Sequence, residues 1–142
     1  MDADIRVATS DTSFWLPEPQ WGIATIPAGW FQKMVPWALA SELLLLADRV
    51  DAERAREVGI VNKVVEDGQL MVEAERIANR LASLSPVAVQ GMKEMMVRAS
   101  NLDYTAIDQI TEVAQNRVMN SNDRKEGASA FADRREVDWP GS

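Results

Sequence analysis

The sequence predicts a mostly helical chain with a few short strands and no complete sheet of its own. Three observations carry this. From residue 36 onward, apolar residues recur at helical spacing with one interruption. Residues 1–37 are irregular instead, and they hold four of the five tryptophans (Trp15, Trp21, Trp30, Trp37) and four of the six prolines (Pro17, Pro19, Pro27, Pro36). Only residues 5–8 and 60–65 have strand character, and a strand or two needs a sheet to join.

In chain order, Ile5 to Ala8 reads as a short strand, ended by the turn-like Ser10-Asp11-Thr12-Ser13. Residues 37–47 form a mostly apolar helix. Asp51 suits the N-cap of a helix over 52–58, and Gly59 stands where a glycine stops one. Residues 60–65 are short and β-branched, hence a strand, and Asp67-Gly68 is a turn. Leu70, Ala74, Ile77, Leu81 and Leu84 mark one face of a helix over 69–84. Ser85-Pro86 starts the next helix with a capping hydroxyl and a proline at the first position. Its stripe is Ala88, Met92, Met95 and Ala99, and at this spacing Met92, Met95 and Met96 read as core rather than as an adaptable groove. Ile107, Ile110, Ala114 and Val118 face one way over 103–119. Asp123 with Glu126 three later resembles a capping box and predicts a last helix over about 124–136.

Composition narrows the chemistry. A chain of 142 residues, 46% hydrophobic and 26% charged, is one globular domain or part of one. Acidic residues outnumber basic ones 22 to 15, and the net charge of −7 argues against nucleic acid or an anionic membrane as partner. With no Cys there is no thiolate nucleophile and no disulfide; with no His there is no imidazole catalysis and no imidazole metal site. Proton transfer must use carboxylates, Lys, Tyr or water, and no metal and no cofactor are expected. No apolar run reaches the ~18 residues of a membrane span, and the opening MDADIRVA lacks a secretory pattern. The expected location is cytoplasmic.

The stretch with most chemical promise is Phe14-Trp15-Leu16-Pro17-Glu18-Pro19-Gln20-Trp21-Gly22. Pro19 biases Glu18 toward an extended backbone, and Trp15 and Trp21 are placed to cover it. A carboxylate so covered loses hydration, which raises its pKa toward the range of a general acid or base. The plainer alternative is an exposed Glu on a proline-stiffened loop, with the tryptophans in the core. Arg134-Arg135 likewise suits either an anion or a solvated helix end.

Taken together, these pieces resemble the C-terminal part of the crotonase superfamily, the enoyl-CoA hydratase/isomerase proteins. The residues that carry the resemblance are Asp4-Ile5-Arg6-Val7-Ala8, Phe14-x-Leu16-Pro17-Glu18, Gly22, Ala38-Leu39-Ala40-x-Glu42-Leu43-Leu44-Leu45 and Val50-Asp51-Ala52-Glu53-x-Ala55. Residues 59–65, Ser85-Pro86-x-Ala88 and Glu126-Gly127-x-x-Ala130-Phe131 complete it. Each motif is weak alone; their order and spacing are specific.

The resemblance implies an α/β fold, the ClpP/crotonase-like ββα spiral. This chain would hold its last part over 1–66, with the acid/base Glu loop, and the helical oligomerisation region over 67–142. It implies hydration or dehydration of an enoyl-CoA, with coenzyme A as part of the substrate. Glu18 matches one of two acid–base glutamates, beside the substrate-binding Pro17 and Gly22. Phe131 and Arg134 match positions that contact coenzyme A of a neighbouring subunit. The other glutamate and both backbone donors for the thioester oxygen would fall ahead of residue 1, so the chain alone is expected to be inactive. A homo-oligomer is implied, a trimer or dimer of trimers. The alternative is a freestanding, non-catalytic oligomerisation or regulatory module. The sequence departs from the family over 23–36, IATIPAGWFQKMVP, where Trp30 and Phe31 stand in place of small residues and so bear on acyl-pocket size.

Overall fold

A computed structural model describes residues 3–24, 28–100 and 102–142. The chain divides into two compact units, Met1–Arg76 and Ile77–Ser142.

In the first unit, β1 (Val7–Thr9) pairs in parallel with β4 (Lys63–Val65), Val7 opposite Lys63. β2 (Ser13–Phe14) pairs antiparallel with β3 (Val50–Asp51), Ser13 opposite Asp51. The strands are shorter than the sequence suggests. Ile60 and Val61 are buried but unpaired with β1, because both of their N–H groups go to the Ala55 carbonyl, at 2.8 and 3.2 Å. Those bonds close the end of α3 (Ala52–Glu57), whose N-cap is Asp51, as expected, accepting from the Arg54 N–H at 2.8 Å. Ser13, read as turn, is strand instead, since the ribbon with residue 51 claims it.

Between β2 and β3 lie α1 (Ala28–Phe31) and α2 (Trp37–Ser41). The helix expected over 37–47 does not continue as an α-helix. It widens into a π-helix over Glu42–Leu46 and ends at Ala47 with φ 54°. A left-handed backbone costs an alanine about 1–2 kcal/mol, so the surroundings must over-determine it. The widened turn keeps Leu43 in the core and leaves Leu45 and Leu46 outside. Phe31, Leu39, Leu43, Ala52, Ala55 and Ile60 form much of that core. Phe31, a departure from the family pattern, is thus a core residue; Pro27 and the side chain of Trp30 lie outside the described residues.

α4 (Leu70–Ala82) is amphipathic, but its most buried side chain is charged. Glu73, 8% exposed, meets Arg76 at 2.6 Å and Lys63 at 3.0 Å. Hydrogen bonds from Arg76 and then Lys63 hold its pKa down at about 2. Leu70 and Leu81 of the expected stripe are exposed.

In the second unit, α5 (Pro86–Ala99) packs on α6 (Tyr104–Met119). Ser85 caps α5 through the Ala88 N–H, and Asp103 caps α6 through the Ala106 N–H. The helices meet at buried Gly91, where a Cβ would stand 2.7 Å from Val118 Cγ2. Of the expected stripe, Ala88, Met95 and Ala99 are half-buried, while Met92 is 61% exposed and Met96 beside it 70%, so these two are not core. Ala114 of α6 is buried, as its stripe predicts.

α7 (Asn122–Asp133) begins earlier than expected and on a different cap. Ser121 accepts the Arg124 N–H at 3.1 Å. Asp123, 1% exposed, sits inside the first turn. One oxygen accepts the Ser85 hydroxyl at 2.6 Å and the Val87 N–H at 3.3 Å; the other accepts the Gly141 N–H at 2.6 Å. Burial pushes the Asp123 pKa up, and these bonds outweigh it and hold it below the ordinary aspartate value. α7 stops at Asp133 because Arg134 turns left-handed (φ 53°) and Glu126 draws Arg135 back, at 2.6 and 2.9 Å. The tail then returns over α7. Trp139 lies against Gly127, and its indole donates to the Ser83 carbonyl at 2.9 Å. Among the described residues, no helix is long and apolar enough to cross a membrane.

Candidate active site

Pro17, Glu18 and Gly22 come together in one loop. Pro17 is the N-cap of a 3-10 helix over Glu18–Trp21, and Gly22 ends it with φ 69°, a conformation that favours glycine. Glu18 is therefore helical rather than extended. The Gln20 N–H donates to Pro17 at 2.9 Å and the Ile23 N–H to Glu18 at 3.0 Å, and these bonds override the bias from Pro19. The prolines lack N–H groups, so the tight turn leaves few donors to satisfy.

Glu18 Oε2 is buried and, among the described residues, has no hydrogen-bond partner. Buried polar atoms are nearly always paired, and leaving one open costs about 1–3 kcal/mol or more when charged. The expected tryptophan cover is not there in the expected form. Trp21 is 72% exposed, while Trp15 turns its indole N–H onto the Ala47 carbonyl at 2.7 Å. The Arg49 guanidinium lies 4.0 Å from the Trp15 ring centroid.

Beside the loop is a cleft of about 360 Å³, lined by Pro19, Ile23, Trp37, Leu44 and Leu45 among others. Among the described residues no charged side chain lines it, and the Ser41 hydroxyl on its wall is spent on the Trp37 carbonyl at 2.9 Å. Such a wall suits an apolar group. Sequence reasoning missed Trp37, Leu44 and Leu45 as lining residues; their helical spacing at the outer face was the available signal.

Phe131 and Arg134 belong to the second unit. Phe131 is 87% exposed on α7 and borders a cleft of about 520 Å³ with Arg124 and Trp139. Arg134 is the helix C-cap, and its neighbour Arg135 is bound to Glu126. Among the described residues, no group of three or more Asp, Glu, His or Cys is placed to hold a metal ion.

The chain belongs to the enoyl-CoA hydratase/isomerase family, whose sequence model matches residues 1–142. The resemblance to the crotonase superfamily is borne out at that level. Among its relatives, a carnitinyl-CoA dehydratase of Proteus mirabilis is 34% identical over 145 residues, covering 98% of this chain and 56% of that protein. A short-chain-enoyl-CoA hydratase of Clostridium acetobutylicum is 32% identical, covering 97% of this chain and 54% of that protein. The crystal structure of an enoyl-CoA hydratase from Mycobacterium tuberculosis H37Rv superposes with TM-score 0.92 at 34% identity, over 99% of this chain and 56% of that one. One from Bacillus anthracis gives TM-score 0.94 at 29% identity, over 99% and 55%. The chain thus spans about half the length of the relatives it matches.

Proposed function

We propose that this chain is the C-terminal, acid–base-bearing portion of a protein that hydrates or dehydrates an enoyl-CoA. The observation that carries the reading is Glu18 Oε2, buried and without a hydrogen-bond partner among the described residues, on a loop whose Pro19 and Ile23 line the apolar cleft. In hydration, the hydroxyl of a water adds to the β-carbon and a proton to the α-carbon. Glu18 moves one of these protons, and the second glutamate and the backbone donors for the thioester oxygen come from the remainder of the complete protein. Pro17 and Gly22 shape the turn that presents Glu18, and Phe131 and Arg134 meet coenzyme A, the Phe covering the adenine and the Arg pairing with a phosphate. Units such as these assemble as a homo-oligomer, a trimer or a dimer of trimers. Coenzyme A enters as substrate; no separate cofactor takes part.

The test is hydration of a 2-enoyl-CoA, followed by loss of the conjugated thioester absorbance. The chain alone is expected to be silent. A protein of full family length containing it is expected to turn over, with the rate reduced by about 10²–10⁴ in E18Q. Full activity in E18Q would sink the assignment of Glu18. Exposed Met92 and Met96 favour a second reading, a non-catalytic oligomerisation module. Sedimentation separates the two: the module assembles from this chain alone and binds no acyl-CoA.

A further inference from the structure

The direction of the Glu18 carboxylate is set from outside its own side chain. Its buried oxygen has no hydrogen bond among the described residues to aim it. The loop around it is closed on itself by the Gln20 and Ile23 N–H bonds. Three residues ahead, Trp15 ties that closed loop to a different element. Its indole N–H donates at 2.7 Å to the carbonyl of Ala47, the left-handed residue that ends the π-helix. Arg49 stacks on the same ring at 4.0 Å and reaches the Ser13 hydroxyl at 3.5 Å. Buried Ala47 holds a disfavoured backbone at the point where its carbonyl receives the indole.

We infer that Trp15 is a positioning residue for Glu18: with Ala47 and Arg49 it fastens the Glu18 loop to the end of the π-helix and so aims the carboxylate. The inference rests on the acid–base reading of Glu18. The arrangement has a chemical logic. Hydrogen bonds that aimed the carboxylate directly would occupy the lone pairs a proton-transfer group needs. Aiming it through the backbone leaves them free.

W15F removes the indole N–H together with the five-membered ring and leaves a smaller aromatic ring under Arg49. In a full-length enzyme containing this chain, its kcat should fall by about tenfold to a hundredfold, the scale of a small misplacement, with KM within about twofold. W15F/E18Q should be no slower than E18Q, because the two residues act as one unit. In the 142-residue chain, W15F should speed amide exchange at Gln20 and Ile23 and leave it unchanged at Ala114. R49Q keeps the indole bond and decides the matter if W15F does not fold: a smaller loss in kcat at constant KM is expected. Wild-type kcat in W15F (or in R49Q, where it decides), multiplicative losses in the double variant, or faster exchange throughout the chain would each overturn the inference. Full turnover in E18Q would instead remove the reading of Glu18, whatever Trp15 does.

Discussion

Glu18 and Asp123 both place carboxylate oxygens away from water, with opposite outcomes. Asp123 is surrounded by donors: a hydroxyl from Ser85 and N–H groups from Val87 and Gly141. They join the start of α5, the first turn of α7 and the returning tail. Glu18 has an oxygen that meets none among the described residues, on a turn rigid enough to keep it there. A saturated carboxylate joins elements of the fold. An open one joins none among the described residues. The same chain shows both, so its composition is not what separates them.

The sharpest way to break this contrast is E18Q. On the proposed acid–base role, turnover by a protein of full family length should drop by about 10²–10⁴, while the melting temperature stays level or rises because a buried, unpaired carboxylate is replaced by a neutral amide. D123N should do the reverse. It turns an amide N–H₂ or a weaker acceptor toward groups that all donate, so the second unit should melt several degrees lower. Equal melting losses in the two variants would erase the distinction. G91A should follow, at about 1–3 kcal/mol by urea unfolding, because the new methyl would meet Val118 at 2.7 Å. The smallest effect is at Glu73. Its pKa is lowered to about 2, by Arg76 first and Lys63 second, so the folded state favours the ionised form. The stabilisation is complete above the ordinary glutamate value and is lost as pH falls toward 2. The melting-temperature gap between wild type and E73Q should therefore be larger at pH 7 than at pH 3.

Local signals were legible where one residue type has one local job. Asp51 and Ser85 cap the helices that their positions in the sequence predict, and the two flanking prolines mark Glu18 in the sequence alone. They failed where two residues compete for one job. Ser121 and Asp123 can each cap α7, and Glu126 three residues after Asp123 favoured the wrong one. Glu126 is in fact drawn to Arg135 and the Asp138 N–H, a contact from beyond the helix. The expectation of core positions failed at Met92 and Met96, which are exposed, while Met95 is half-buried. Gly91 lets α6 approach α5 on a face that hydrophobicity alone does not mark. Ala47 gave no signal, because a left-handed alanine is set by its neighbours and not by its own propensity.

The π-helix makes residues 42–46 intolerant of a change in length. A π-helix is, in effect, an α-helix carrying one inserted residue. Deleting one residue there would let the helix close to ordinary geometry and swing all that follows by about 100°. The Ala47 carbonyl would leave the Trp15 indole, and the residues after the deletion would turn to a different face. An insertion in the exposed turn at Asp67-Gly68 has no such lever. A deletion within residues 42–46 would therefore rotate the helix end and re-anchor the Glu18 loop, not trim a loop.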